Sequence, residues 1–179
     1  MLTDIERAIF HFFNETSNSV ILDYAMPVIT ELGSGILLFA VAIIMLVLNK
    51  RRMRASGILL LAGITSSHYV VRIIKNLVAR PRPFIVLPEV NTVFTIGGFS
   101  FPSGHASMAF MGAFILTKCF GKGYIFFPIA AVVALSRVYL GLHYFSDAAI
   151  GSIIGCLIGF IISYAAESVW GSSVWEEGV

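Results

Sequence analysis

Apolar residues in this chain come in long runs broken by short polar interruptions, not in the stripes of a soluble amphipathic helix. A membrane-crossing helix needs about 20 mostly apolar residues. Five segments qualify once serine, threonine and single polar residues are tolerated: about 33–49, 55–78, 105–120, 124–140 and 145–166. The joins after the first, third and fourth are short, so those neighbours are expected to pack as antiparallel hairpins. The join after the second is different. Residues 79–104 lack helical periodicity, and a loop of that length inside a compact unit is usually functional.

The N-terminal part follows another pattern. Ile5, Ile9, Phe12 and Phe13 form one apolar stripe with Glu6 and Arg7 off it, which suits a helix lying in the membrane interface. The next stretch, VILDYAMPVITEL at 20–32, carries Asp23, Pro27 and Glu31 and reads as a second interfacial or re-entrant helix. A sixth span across 18–32 is the alternative. Composition supports the membrane reading: 58% of the 179 residues are hydrophobic and 12% charged, where a soluble domain has about 25% charged. A mean hydropathy of +0.89 excludes a water-soluble monomer. The start, MLTDIERAIFHFF, has no basic region or small-residue cleavage site, so it is not expected to be a removable signal peptide. The expected fold is all-α. It is a single domain, 1–179, with interfacial helices in 1–32, a transmembrane helix bundle in 33–168 and a catalytic loop at 79–104.

A net charge of +2 gives no nucleic-acid footprint, but the placement of the cations is informative. KRRMR at 50–54 and the pair Lys118 and Lys122 fall on the same side if spans alternate, and the positive-inside rule makes that side cytoplasmic. The long loop and the turn at 141–143 then face outward. That outer side also carries Arg72, Lys75, Arg80, Arg82 and Arg137, against the rule unless they serve another purpose.

Three outer stretches hold most of the polar residues: KNLVARPRP at 75–83, FPSGH at 101–105 and SRVYLGLHYFSD at 136–147. Ionisable residues within spans are costly and mark functional sites by default. Lys75, Arg82 and Arg137 are cationic donors suited to a phosphate, and arginine can grip its oxygens through two parallel hydrogen bonds. Ser103 and Gly104 precede a helix whose free N–H groups and dipole favour an anion. His143 and Asp147 lie four apart and share a face if the last span begins near His143. The carboxylate can then fix one imidazole nitrogen as a donor and leave the other free to attack. His105 is a second imidazole, placed to protonate a departing oxygen. Nothing in the sequence looks like a carboxylate-rich metal cage. Together these groups describe phosphoryl transfer without a metal.

The pattern K-x6-R-P, then P-S-G-H, then S-R-x5-H-x3-D is similar to the signature of the type 2 phosphatidic acid phosphatase superfamily, and with its spans it covers about 66–155. The resemblance implies a membrane lipid phosphatase with His143 as the nucleophile forming a phosphohistidine, Asp147 orienting it and His105 as general acid. It implies that Lys75, Arg82, Ser103, Gly104 and Arg137 hold the phosphate, with no metal and no cofactor. One local departure is Phe145, where many members have proline; that position is structural.

Other residues have plainer readings. His68 and Arg72 lie seven and three residues before Lys75 on one face of the second span, and these two read as either support for the site or polar packing between spans. Arg80 falls between motif positions and reads as interfacial rather than as a headgroup contact. Gly151, Gly155 and Gly159 suggest close helix packing inside the chain. Cys119 and Cys156 sit in apolar runs as core fillers, with no disulfide or metal-site spacing. The expected setting is the cytoplasmic membrane, multi-pass, with the site on the extracytoplasmic side. The partners expected are a membrane lipid substrate and the bilayer, with no nucleic acid and no obligate protein partner. Undecaprenyl diphosphate is the favoured substrate; phosphatidylglycerol phosphate, phosphatidic acid and lipid A 1-phosphate are the alternatives. Lipid phosphotransfer and non-enzymatic lipid or anion transport are the competing classes.

Overall fold

Helix ends in this protein are set by residues that recur in the site. In the computed structural model, which describes residues 4–14, 19–48, 50–87, 89–90, 92–171 and 173–176, every regular element is helical. The order is α1 (Asp4–Asn14), α2 (Val20–Thr30), a 3-10 turn (Glu31–Gly33), α3 (Gly35–Val47), α4 (Arg51–Val78), α5 (Pro83–Val86), α6 (Gly104–Phe120), α7 (Gly123–Tyr139), α8 (Phe145–Trp170) and the short α9 (Ser173–Glu176). Ser103 caps α6 by accepting a hydrogen bond from the Ala106 amide (3.4 Å), and Gly121 ends that helix in the left-handed region (φ 68°). Asp147 caps α8 by accepting from the Tyr144 amide (2.9 Å).

α6 is the central helix. It packs most extensively on α8 and α7, and α4 packs on α3, α6 and α8. The closeness of α6 and α8 is a glycine effect. A Cβ at Gly151 or Gly155 would collide with the backbone carbonyls of Ser103 or Ser107, so no other residue lets the helices sit this close. The glycine ladder is thus used inside the chain. Leu38, Met45, Leu59, Leu60, Met111, Ile115, Cys119 and Ile158 fill the space between α3, α4, α6 and α8. Cys119 and Cys156 are both free thiols. Large apolar side chains such as Ile44, Ile73, Phe160 and Tyr164 stay more than half exposed, as a lipid-facing surface requires.

Among the described residues, two helical stretches suffice by length and composition to cross a membrane, Arg51–Val86 and Phe145–Trp170. A third crossing follows if α2 with its 3-10 turn and α3, bent by 50° at their junction, are taken as one broken span. α6 and α7 are 17 residues each, or about 25 Å long. The expected end of the first span, Asn49, lies outside the described residues.

Three expectations need correction. Arg51, Arg52 and Arg54 are not loop residues but the first turn of α4, which has 28 residues; lysine and arginine are good helix formers, and nothing there stops the helix. The 79–104 segment contains a helical turn, α5, started by Pro83 at its first position. On α1 the lipid-facing stripe holds for Ile5 (73% exposed) and Phe12 (61%), but Phe10, outside that stripe, is fully buried beside the α7–α8 turn.

Candidate active site

The stretches 75–83, 97–105 and 136–147 meet at one end of the bundle, where α4 and α7 end and α6 and α8 begin. The turn between α7 and α8 is tight. Gly141 takes a positive φ (70°), and the amides of Leu142 and His143 both donate to the Arg137 carbonyl (3.2 Å each). That geometry places His143 one step ahead of α8, over the first turn that carries Asp147.

His143 is 2% exposed and Asp147 fully buried. Imidazole Nδ1 lies 3.7 Å from Asp147 Oδ2, an ion-pair separation rather than a hydrogen bond. Imidazole Nε2 lies 3.3 Å from Arg82 Nη1. A guanidinium can only donate, so Nε2 is the unprotonated nitrogen and Nδ1 carries the hydrogen on the carboxylate side. Burial, reinforced by the cations Arg137, Arg82 and Lys75, pulls the His143 pKa down to about 3, and the Asp147 carboxylate opposes this only in part. The ring is therefore neutral, with its lone pair turned toward the cations.

The cations are held by oxygens of the chain. Arg82, 4% exposed, donates to the carbonyls of Gly97 (3.1 Å), Gly98 (2.9 Å) and Leu142 (2.9 Å). Lys75 donates to the carbonyls of Phe99 and Ser100. Arg137 donates to Thr30 Oγ1 (2.9 Å) at the end of α2, while its buried Nε has no partner. The Ser103 amide donates to the Asp147 carbonyl (2.9 Å), tying the start of α6 to α8. Lys75, Arg82, Ser103, Gly104, Arg137, His143 and Asp147 thus fall in one region of the molecule.

His105, on the first turn of α6, lines a lateral cleft of about 640 Å³ with Glu31, Ser34, Thr65, His68 and Tyr69. His68 therefore shares the cleft with His105, whereas Arg72 is exposed. Among the described residues no three His, Cys, Asp or Glu side chains cluster as metal ligands. Phe145, the departure from proline, starts α8 and stacks on Phe13 of α1 (6.5 Å between ring centroids).

Arg80 and Ser100 are also bound to the site. Arg80, taken as interfacial, turns inward: its Nη1 lies 2.7 Å from Asp147 Oδ1, and its Nη2 lies 2.8 Å from Glu6 Oε2. The R-P-R-P spacing in 80–83 was the available signal, since two arginines flanking one proline must lie close in space. Ser100, fully buried, donates to Asp147 Oδ2. A serine between two phenylalanines gave no comparable signal.

A 103-residue segment is 38% identical to decaprenylphosphoryl-5-phosphoribose phosphatase of Mycobacterium tuberculosis, covering 56% of this chain and 56% of that relative. Phosphatidylglycerophosphatase B of Bacillus subtilis is 31% identical over 161 residues, 83% of this chain and 77% of that protein. The crystal structure of Aquifex aeolicus LpxE superposes with a TM-score of 0.80 at 28% identity, covering 90% of this chain and 96% of that one. The sequence profile of the PAP2 superfamily matches residues 56–170, a stretch that includes all three motifs, and the chain belongs to that superfamily.

Proposed function

We propose that this protein is an integral-membrane phosphatase that hydrolyses a lipid phosphate or diphosphate through a phosphohistidine at His143. The observation that carries the reading is the imidazole itself: buried, neutral, its free Nε2 facing Arg82 and its Nδ1 facing Asp147. Substrate phosphate would take the place of the loop carbonyls now satisfied by Arg82 and Lys75 and would fill the open donor on Arg137. Ser103 and Gly104 would add backbone donors at the α6 N-terminus. Nε2 then attacks phosphorus in line, the bond from phosphorus to the lipid oxygen breaks, and His105 gives its proton to that oxygen. Water attacks the phosphohistidine with His105 as base, releasing inorganic phosphate and freeing His143. Three of the relatives that match are named as phosphatases of lipid-linked substrates, which supports this class of reaction.

Five crossings remain our reading, because α6 and α7 at about 25 Å fall at the short end of what spans a bilayer. The basic end of α4 faces the cytoplasm and the site faces outward, in the cytoplasmic membrane. The cleft beside His105 opens between α3 and α4 at the lipid-facing surface, so a lipid headgroup reaches the site sideways while its chains stay in the bilayer. Undecaprenyl diphosphate is the first candidate. Phosphatidylglycerol phosphate, phosphatidic acid and lipid A 1-phosphate are the others. The test is phosphate release by purified protein from this panel, with EDTA present throughout. We expect turnover of at least one lipid substrate, insensitive to EDTA and blocked by vanadate. Release that requires an added divalent ion contradicts the proposed cationic cradle.

A further inference from the structure

The proposed mechanism leaves one partly buried ionic group, Arg80 (side chain 20% exposed), without a task. Arg80 follows Ala79, whose left-handed backbone (φ 49°) ends α4 and turns the chain back over the α7–α8 turn. There its guanidinium is enclosed. Nη1 donates to Asp147 Oδ1 (2.7 Å) and to Ser146 Oγ (2.8 Å), Nη2 pairs with Glu6 (2.8 Å), and its flat face lies 4.0 Å over the Tyr144 ring. The two oxygens of Asp147 are therefore divided. Oδ1 belongs to Arg80, while Oδ2 accepts from Ser100 and the Tyr144 amide and faces His143 Nδ1. A carboxylate held at both oxygens cannot rotate, so the side turned to the imidazole is fixed. Arg82 and Lys75 differ from Arg80 in kind. They are satisfied by neutral carbonyls, which a phosphate can displace, whereas Arg80 sits between two carboxylates, which it cannot easily leave.

Glu6 brings α1 into the same network. It also accepts from Ser146, so it touches both the arginine and the first turn of α8. Two further contacts from α1 grip the same turn: Phe10 packs on the Tyr144 ring (5.8 Å), and the buried Asn14 amide donates to the Tyr139 carbonyl (2.8 Å). α1 therefore braces the 139–147 segment at its start, at its middle and at its junction with α8.

We propose that Arg80 is a positioning residue for Asp147, and that Glu6 on the N-terminal helix holds Arg80 in register, so that α1 is part of the support of the nucleophile. This rests on the phosphatase reading above. Neither side chain touches substrate; both act through the carboxylate that orients His143. The pair borders a cleft of about 570 Å³ lined by Val78, Ala79, Pro81, Val86 and Tyr144. Neutralising Glu6 from that wetted side leaves Arg80 still paired with Asp147, so the variant is expected to fold.

The experiment is a double-mutant cycle on the purified full chain, reading phosphate release from the most active lipid substrate. We expect Arg80→Gln to lower kcat about 100-fold with KM changed by less than about 2-fold, because transition-state geometry is lost and binding is not. Arg80→Lys should recover most of that loss, and Glu6→Gln should cost about 10-fold in kcat alone. In an Asp147→Asn background, Arg80→Gln should have under about 3-fold further effect, since the group it acts through has already lost its charge. Fully multiplicative losses in the double variant, or a raised KM with normal kcat, overturn the proposal; the second result makes Arg80 a substrate contact. If Arg80→Gln is not recovered as a monodisperse protein, Glu6→Gln with unchanged kcat overturns it alone. If the wild type releases phosphate from no substrate, the phosphatase reading falls and this inference with it. A wild type that turns over while the cycle is additive removes only the inference.

Discussion

The two ends of the helix bundle carry cations in comparable number but use them in opposite ways. At the motif end Arg82, Arg137, His143 and Asp147 are at most 4% exposed. At the other end Arg51 and Arg54 are exposed on the first turn of α4, and Lys118 and Glu167 form an ion pair about one-third exposed. Arg52 there donates to the Lys118 carbonyl, so the two basic segments share one end, as the topology argument requires. Burying a charge without a partner costs several kcal/mol, so a chain does so only where the fold supplies oxygens for it. The motif end supplies them from the 97–100 loop, the α7–α8 turn, α2 and α1. The basic end relies on fewer of them, because its exposed cations Arg51 and Arg54 can be solvated. Charge at the basic end is dispersed and wet, whereas charge at the motif end is enclosed and cross-braced by oxygens of the chain.

The sharpest way to break this contrast is to remove one group from the enclosed end. His143→Ala should reduce phosphate release to background on lipid and aryl phosphates alike, because the proposed nucleophile is gone. Asp147→Asn should cost about 10⁴-fold in kcat, by the tautomer argument known for the serine-protease aspartate. His105→Ala is expected to be selective: an aryl phosphate, whose leaving group needs little protonation, should retain far more activity than a lipid phosphate. Equal losses on both substrates would remove His105 from the general-acid role.

A stability measurement probes the platform beneath the site. Gly155→Leu should lower stability by about 3 kcal/mol or more, because its side chain meets the Ser107 backbone, which cannot move aside. A thermal midpoint in detergent equal to that of wild type would contradict the close α6–α8 contact. The effect of pH has a definite sign. The His143 pKa is about 3 in the folded protein against 6.5 ordinarily. The unfolded chain therefore takes up a proton first. Stability from this residue is full above the ordinary value and is lost as pH falls from 6.5 toward 3. The free enzyme should not lose its nucleophile to protonation between about pH 8 and pH 5. An NMR titration in which the His143 imidazole of the folded protein protonates near its ordinary value would contradict this. The smallest change belongs to the wet end: Glu167→Gln should shift stability by less than about 1 kcal/mol, as exposed pairs do, and leave turnover unchanged.

The same contrast explains what could be read from the sequence. Helix positions were legible because apolar runs and caps are local. The expected 105–120, 124–140 and 145–166 differ from α6, α7 and α8 mainly in how far α8 extends. The motif residues were legible as a set because cations and imidazoles stand out in an apolar chain. Arg80, Glu6 and Ser100 were not. Their roles come from pairing over separations of 67, 140 and 47 residues, with Asp147 for Arg80 and Ser100 and with Ser146 for Glu6, and no local period encodes such distances. Phe10 escaped for a related reason. α1 is apolar on two faces, one for lipid and one for Tyr144, and a single-stripe reading sees only the first.

The most direct test of the central claim is to trap the covalent intermediate. Wild-type protein given a ³²P-labelled lipid phosphate and quenched in the steady state should carry acid-labile, base-stable label on His143. With a labelled aryl phosphate, whose leaving group needs little protonation, the label should accumulate when His105→Ala slows the water step, and with either substrate it should be absent in His143→Ala. Label that persists in His143→Ala, or label found on His105, would contradict the assignment of the nucleophile.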